Sequence, residues 1–265
     1  MGAFECRRRC GRILARIGFR GREMGLDLGP ESFFDLEGLD SCGEVSRLFR
    51  EFFEVRYVWE VLGGRLEGFL GTLVEGCRIH SLVPEGVHLL GDRIYIGEEV
   101  VLEPGVVIQA PAWVGRGVVL RSHAYVRGCS LLMEGSLVGH ATEVKGSVLL
   151  PGAQAPHFNY VGDSVLGRGV NLGAGCVLSN LKNLSSSEVI LRIEGREFAT
   201  GLRKFGSILG DGVKTGCNSV LHPGVLMGRG GVVYPNVSLR KGYYPPGSLV
   251  KLRQVLEVEL VRGDG

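Results

Sequence analysis

The sequence has no apolar run long enough to cross a membrane and no Cys-x-x-Cys pair. A transmembrane helix needs about 18 or more consecutive apolar residues, and no such run occurs among the 265 residues. The seven cysteines are an odd number without a Cys-x-x-Cys pair. This usage argues against a disulfide framework or a structural zinc site and favours the reducing cytoplasm. The net charge is only +2, so no general attraction to nucleic acid or to a membrane surface is expected.

Glycine, in contrast, is abundant, with 43 residues against a usual content of about 7%. The glycines follow neither a collagen period nor a low-complexity pattern, and many lie beside aliphatic residues. We therefore interpret them as corners of a repeating structure.

An aliphatic residue occupies every sixth position from 90 to 150 without a gap. The eleven positions are Leu90, Ile96, Leu102, Ile108, Val114, Leu120, Val126, Leu132, Val138, Val144 and Leu150. A hexapeptide repeat is typical of a parallel β-helix, in which three hexads form a triangular coil of about 18 residues with the aliphatics along the axis. This repeat type winds left-handed, against the usual handedness of parallel crossovers. We predict a mainly β protein with a left-handed parallel β-helix over residues 77–255.

The hexad register is lost and regained twice. The later phases are Leu166, Leu172 and Leu178, then Leu209, Thr215, Leu221, Met227, Val233 and Leu239. Loops are therefore expected at about 151–165 and 180–208. Within the second loop, residues 189–198 have the alternating pattern of a β-hairpin, which predicts a hairpin arm at about 182–201.

The N-terminal third is different in character. Residues 1–29 are rich in arginine between Arg7 and Arg22, which predicts a disordered basic leader or a basic amphipathic segment for an anionic surface. Residues 30–76 have a helical apolar period. Because a solenoid needs its terminal coil covered, we expect this small helical subdomain to cap the open end of the β-helix. Residues 256–265 are expected to be a tail.

Arg127 and Lys145 follow the inward-facing Val126 and Val144, eighteen residues apart. In an 18-residue coil they stack on the same outer face, about 5 Å apart along the β-helix. Stacked like charges are unfavourable unless an anion lies between them, and a phosphate would serve. The alternative is that the two cations splay apart into solvent.

Further polar residues follow. Glu143 lies two residues before Lys145. His157 opens the first predicted loop and could act as a general base if a carboxylate orients its ring. Asn171, Asn180 and Lys204 lie further along the chain. An asparagine in a β-helix often forms ladders or caps turns, so neither Asn171 nor Asn180 is specific when taken alone.

Four segments together are more specific than the repeat. They are Val138-Gly-His-Ala-Thr-Glu-Val-Lys145, Ala155-Pro-His-Phe-Asn-Tyr-Val-Gly-Asp163, Gly169-Val-Asn-Leu-Gly-Ala-Gly175 and Lys204-Phe-Gly-Ser-Ile-Leu-Gly-Asp211. They resemble the acetyltransferase half of the bifunctional glucosamine-1-phosphate acetyltransferase/N-acetylglucosamine-1-phosphate uridylyltransferase family. The similarity covers about residues 125–240 and needs no gap from Arg127 to Asn180.

The resemblance implies an acyltransferase that uses acetyl-CoA, acts on an amino-sugar phosphate and works as a homotrimer with sites between subunits. From the cysteine usage we expect a cytoplasmic protein without a metal site. His157 would be the general base, oriented by Glu143. The phosphate would be bound by Arg127, Lys145 and Lys204, and the sugar by Tyr160, Asn171 and Asn180. The backbone amide of Leu181 would face the oxyanion, and the acetyl-CoA groove would be lined by Ala174, Cys217 and Pro235.

Departures from the family leave alternatives open. The uridylyltransferase domain with its glycine-rich loop has no counterpart in residues 1–76, and the insertion at 182–201 lies beside the acceptor pocket. Cys217 replaces a serine and Pro235 an alanine of the family. A non-catalytic trimer that binds a sugar phosphate or a separate nucleotidyltransferase is one alternative. A zinc enzyme of the γ-carbonic-anhydrase type is another, because His123, His140 and His157 recur every 17 residues, although their hexad positions differ and their side chains are not expected to converge.

Overall fold

The computed structural model of the chain describes residues 26–37, 39, 43–183 and 187–254. Residues 1–25 of the predicted leader and the predicted tail lie outside this range. Within it, no helix is long and apolar enough to cross a membrane. The described residues form a parallel β-helix with three long faces and a small helical subdomain, which confirms the predicted fold class.

Each face of the β-helix is a parallel sheet, numbered here 1 to 3. Sheet 1 has nine strands: β1 (Arg78–Ile79), β3 (Ile94–Ile96), β6 (Ala112–Val114), β9 (Ser130–Leu132), β12 (Val148–Leu149), β15 (Val165–Leu166), β20 (Ser207–Leu209), β23 (Val225–Met227) and β26 (Gly242–Tyr244). Sheet 2 has eight: β2 (His88–Leu90), β5 (Val107–Gln109), β8 (Tyr125–Val126), β11 (Glu143–Lys145), β14 (Tyr160–Gly162), β17 (Val177–Leu178), β22 (Val220–Leu221) and β25 (Ser238–Leu239). Sheet 3 has eight: β4 (Val101–Leu102), β7 (Val119–Leu120), β10 (Leu137–His140), β13 (Gln154–His157), β16 (Asn171–Leu172), β21 (Lys214–Thr215), β24 (Val232–Val233) and β27 (Leu249–Val250).

The hexad aliphatics form the axial core. Val114, Val126 and Val138 are fully buried, one from each sheet. From β3 to β11 the register partners are eighteen residues apart, as in Leu102 with Leu120. Burial of one branched aliphatic contributes about 1.5–3 kcal/mol, so a continuous inward column from every sheet can stabilise coils that contain only two to four strand residues per side.

The predicted loop at about 151–165 is wrong. Strands β13, β14 and β15 occupy this region, and the coil is one residue shorter because Leu132 pairs with Leu149, seventeen residues on. The corner between Val126 and Leu132 contains one residue, Cys129, that has no counterpart in the corner between Val144 and Leu149 of the next coil. Leu149 consequently faces the axis and Leu150 faces outward. At the other end, Leu89 rather than Leu90 pairs with the inward Ile108, and Leu90 is 49% exposed.

The helical subdomain contains two 3₁₀ helices, Pro30–Ser32 and Val58–Val61, and two α-helices, α1 (Gly43–Phe53) and α2 (Gly64–Leu73). The prediction that this subdomain caps the open end of the β-helix is wrong. The subdomain packs instead on the outer face of sheet 1. The residues that meet it are the outward positions of successive strands, named here the outer stripe: Tyr95, Trp113, Leu131, Val148, Val165, Ile208, Leu226 and Tyr243. An apolar stripe along a whole sheet offers far more area to bury than one terminal coil, which explains the choice of site.

The insertion after β17 contains a two-stranded antiparallel hairpin, β18 (Ile190–Ile193) and β19 (Arg196–Ala199). Val189 and Leu191 are fully buried, and the ring of Phe198 packs edge-on against those of Tyr57 and Trp59. The arm thus contacts the helical subdomain, and its return segment, residues 200–206, leads back to sheet 1.

Candidate active site

Arg127 and Lys145 lie in successive coils at the edge where sheet 2 turns into sheet 1. Val126 pairs with Val144 and the Arg127 amide donates to the Val144 carbonyl, so the two backbones stack as predicted. Each cation has its own carboxylate. Arg127 Nη1 donates to Glu143 Oε1 at 2.8 Å, and Lys145 Nζ donates to Asp163 Oδ2 at 3.2 Å. Hydrogen bonding to Glu143 raises the pKa of the Arg127 guanidinium.

Asp163 connects three coils at this edge. Besides Lys145, its Oδ2 accepts a hydrogen bond from Asn180 Nδ2 in the next coil. Its side chain is only 14% exposed, and that of Lys145 is 20% exposed. A half-buried ion pair holds its partners in fixed geometry more firmly than a solvated one.

Tyr160 lies across Gly162, and Gly162 is the register partner of Lys145. The Tyr160 ring and the Asn180 side chain both border Gly162 at this corner. Burial raises the pKa of the Tyr160 hydroxyl, and the carboxylates of Glu143 and Asp163 raise it further. The hydroxyl is therefore protonated at neutral pH and can donate to a bound oxygen.

Lys204 joins this cluster through the return segment of the insertion. The Phe205 amide donates to the Asn180 carbonyl at 2.9 Å. A pocket of about 380 Å³ is lined by Asp163, Arg203 and Lys204. Gly63 of the helical subdomain and Leu202 of the insertion also line it. Asp163 and Lys204, some forty residues apart in sequence, thus line the same cavity.

His157 lies at the end of β13, at the corner where sheet 3 turns into sheet 2, rather than in a loop. Its side chain is exposed and makes no hydrogen bond to any described residue. Backbone ladders place one column beneath it: the amides of Gly175, Asn218 and Asn236 donate to the carbonyls of His157, Ala174 and Cys217. The column therefore runs through His157, Ala174, Cys217 and Pro235, with a spacing of about 4.8 Å per coil.

Three predicted residues stand apart from these two groups. Glu143 binds Arg127 rather than His157, so the expected orienting contact is not made within this chain. Asn171 lies on sheet 3, between Gln154 and Lys214. Leu181 is 41% exposed and lines a different pocket, next to Asn180.

The histidines predicted not to converge do so in part. The rings of His123 and His140 meet edge-on with centroids 5.9 Å apart, because a coil of seventeen or eighteen residues returns both to the same corner. His140 Nδ1 is 2.9 Å from the Ser122 carbonyl and its ring also contacts Phe158. Among the described residues, no group of three histidine, cysteine or acidic side chains could hold a metal ion.

Sequence reasoning missed Asp163 and Arg203. Asp163 lies within a segment already singled out, one position after the residue that stacks under Lys145, so counting one coil forward from the cation could have found it. Arg203 precedes Lys204 directly, and only the path of the insertion brings it to the pocket.

Two curated proteins are similar to this chain in sequence. A bifunctional sugar-1-phosphate nucleotidylyltransferase/acetyltransferase of Sulfurisphaera tokodaii is 34% identical over 136 residues, 51% of this chain and 33% of that protein. The bifunctional protein GlmU of Methanococcus maripaludis is 32% identical over 163 residues, 62% of this chain and 38% of GlmU. In sequence, the chain resembles the bifunctional GlmU proteins. It spans about a third of the length of GlmU and of the Sulfurisphaera protein.

Other comparisons are more distant. No family model matches the chain. A mutant of the GDP-perosamine N-acetyltransferase of Caulobacter crescentus, solved with CoA and GDP-perosamine, is 20% identical. Its superposition covers 70% of this chain and 60% of that one with a TM-score of 0.26.

Proposed function

We propose that the chain is an acyl-CoA-dependent N-acyltransferase that transfers an acetyl group to the amine of an amino-sugar phosphate such as glucosamine 1-phosphate. The observation that carries the proposal is the joined cluster of Lys145, Asp163 and Asn180, with Tyr160 across Gly162. These residues match the acetyltransferase half of the GlmU family and meet at one edge of one sheet. The free cysteines among the described residues favour a reducing compartment, the cytoplasm.

The phosphate site is the cluster of Arg127, Lys145, Arg203 and Lys204. These four cations outnumber the two carboxylates, Glu143 and Asp163, so a local positive charge remains for a phosphate. Tyr160 and Asn180 donate hydrogen bonds to the sugar.

Acetyl transfer needs proton removal and orientation but no covalent enzyme intermediate, because a thioester is already activated. The His157 imidazole takes a proton from the amine as its nitrogen attacks the thioester carbonyl. The Leu181 amide donates to the resulting oxyanion. When the carbon–sulfur bond breaks, the imidazolium returns the proton to the leaving thiolate, and the amide product and free thiol are formed. The column of Ala174, Cys217 and Pro235 beneath His157 holds the pantetheine arm.

The two edges of sheet 2 carry different parts of this machinery, and Asn171 lies on sheet 3. We therefore propose that the complete site forms between neighbouring subunits of a homotrimer. Co-expression of His157→Ala and Lys145→Ala chains tests this: mixed trimers recover part of the wild-type activity if the two side chains of one site come from different chains. Without recovery, one chain supplies both.

The decisive experiment measures thiol release from acetyl-CoA with a panel of amino-sugar phosphates. His157→Ala should lose two to four orders of magnitude, as expected for a general base. His88→Ala, an exposed histidine on the first strand of sheet 2, is the matched control and should keep full activity. Activity indifferent to His157→Ala would remove this residue from the mechanism.

One observation favours a second function, a non-catalytic subunit that binds a sugar phosphate and regulates a separate nucleotidyltransferase. Glu143 is engaged by Arg127, and His157 has no orienting carboxylate among the described residues. Binding of glucosamine 1-phosphate that depends on Lys145, without any thiol release, would support this function over catalysis.

A further inference from the structure

A second basic pocket lies on the same edge of sheet 2, below the proposed phosphate site. Its volume is about 500 Å³, within the usual range for a ligand site. Its lining includes Lys182, His222, Arg240 and Lys241. No aspartate or glutamate lines it among the described residues.

The position of this pocket follows from strand register. Leu178 pairs with Leu221, and Leu221 with Leu239. The outward residues that follow them, Ser179, His222 and Arg240, therefore stack in one column. This column continues the one that contains Lys145 and Gly162. Lys145 lies three coils above His222, a distance of about 14 Å.

The charges in this pocket are uncompensated, unlike those of the upper site. Lys182 Nζ donates to the Ser187 hydroxyl and the Glu188 carbonyl, and Lys241 Nζ donates to the Ile190 carbonyl at 3.2 Å. His222 Nε2 is 2.9 Å from the Ser238 hydroxyl. Within the described part of the chain, Lys182, Arg240 and Lys241 form no ion pair, so the positive charge that lines this pocket is not neutralised by a carboxylate.

The opposite wall is apolar. Leu181 and Val220 line the pocket and are 41% and 37% exposed. A site that places three cations beside two exposed apolar side chains suits an anion attached to an organic group better than a small inorganic ion.

We infer that this pocket binds the diphosphate group of a nucleotide-bearing ligand. Two ligands could carry such a group: coenzyme A, which the proposed function requires, or a nucleotide-linked amino sugar that takes the place of the amino-sugar phosphate as acceptor. The inference extends the proposed function but does not depend on turnover, because binding alone tests it.

Calorimetric titration of the full chain with inorganic pyrophosphate is the direct measurement. Arg240→Gln should raise Kd about tenfold or more, since it removes charge-assisted hydrogen bonds, and added salt should weaken binding to the wild type more than to the variant. Lys214→Gln, an exposed lysine on sheet 3 with the same charge change, is the control and should leave Kd unchanged. The same Kd in the wild type and both variants would overturn the inference.

Two further titrations identify the source of the diphosphate. Uridine diphosphate that binds in an Arg240-dependent manner assigns the pocket to the acceptor, and coenzyme A that does so assigns it to the cofactor. Arg240 is exposed, and its side chain makes no hydrogen bond or ion pair with a described residue, whereas its backbone carbonyl accepts a hydrogen bond from the Tyr244 hydroxyl. The variant should therefore fold. The Arg240→Gln/Lys241→Gln double variant should bind pyrophosphate more weakly still, and binding equal to that of the single variant would exclude Lys241 from the site.

Discussion

The ring of Tyr160 occupies the space that a side chain at Gly162 would need. A Cβ built on Gly162 would lie 2.7 Å from Tyr160 Cε1 and 2.8 Å from both the Tyr160 hydroxyl and Asn180 Nδ2. The glycine at this corner therefore sets the position of two proposed sugar-binding groups beneath Lys145.

Gly162→Ala should accordingly impair the site more than the fold. We expect a loss of about 1–3 kcal/mol in unfolding free energy from overpacking and a drop in kcat/KM of about a hundredfold, because both side chains are displaced. Gly68→Ala is the control: its Cβ meets nothing within 4 Å, and alanine favours helix α2 by about 1 kcal/mol. Full activity of Gly162→Ala would show that the position of Tyr160 is not required.

The raised pKa of Tyr160 predicts a pH dependence of stability. A folded-state pKa above the ordinary value of about 10 means that the protonated hydroxyl favours the folded chain below pH 10. This contribution is lost as pH rises through the folded-state pKa. The difference in unfolding free energy between wild type and Tyr160→Phe should therefore shrink above pH 10, measured by urea unfolding at several pH values. A constant difference across this range would contradict the shift.

Leu131 and Leu132 are adjacent in β9, both fully buried, and face opposite sides of sheet 1. Leu131→Ala and Leu132→Ala should each cost about 2–5 kcal/mol, the first by weakening the packing of the subdomain and the second by leaving a cavity in the axial core. Leu249→Ala on sheet 3, where the side chain is half exposed, should change stability by less than about 0.5 kcal/mol. If Leu131→Ala is as mild as Leu249→Ala, the subdomain does not pack there in solution.

Cys217 offers a test of the proposed acetyl-CoA column. Cys217 and Cys77 are both exposed, so iodoacetamide should modify both, whereas burial raises the pKa of the Cys176 thiol and slows its reaction. Acetyl-CoA should protect Cys217 and leave Cys77 unprotected, as read by peptide mass spectrometry. Equal modification of Cys217 with and without acetyl-CoA would place the cofactor elsewhere.

The hexad pattern predicted the β-helix because an inward position is a local property of each corner and strand. The loop predicted at 151–165 was wrong for a related reason: one omitted residue at a corner shifts the hexad count but leaves the backbone ladder intact. Leu149 follows the inward Val144 after five residues instead of six. It could have been predicted as the next inward position only with the knowledge that a corner can lose one residue.

The candidate site could likewise be predicted from the sequence only in part. Lys145 was predicted from the spacing of the coils, whereas Tyr160 and Asn180 were predicted only from the resemblance to the GlmU family. The sequence did not reveal that Glu143 binds Arg127 instead of His157, because this choice depends on the direction of the side chains once the coils are stacked.

The sequence by itself determined the repeat, the inward aliphatics and the column of cations after Val126 and Val144, because each depends on residues within one or two coils. Only the tertiary structure decided that the helices pack along the outer stripe of sheet 1, that Asp163 joins Lys145 to Asn180, and that the insertion brings Lys204 to Asp163. These contacts join segments distant in sequence, and their choice depends on which surfaces bury the most apolar area and pair the most charge once the whole β-helix has formed.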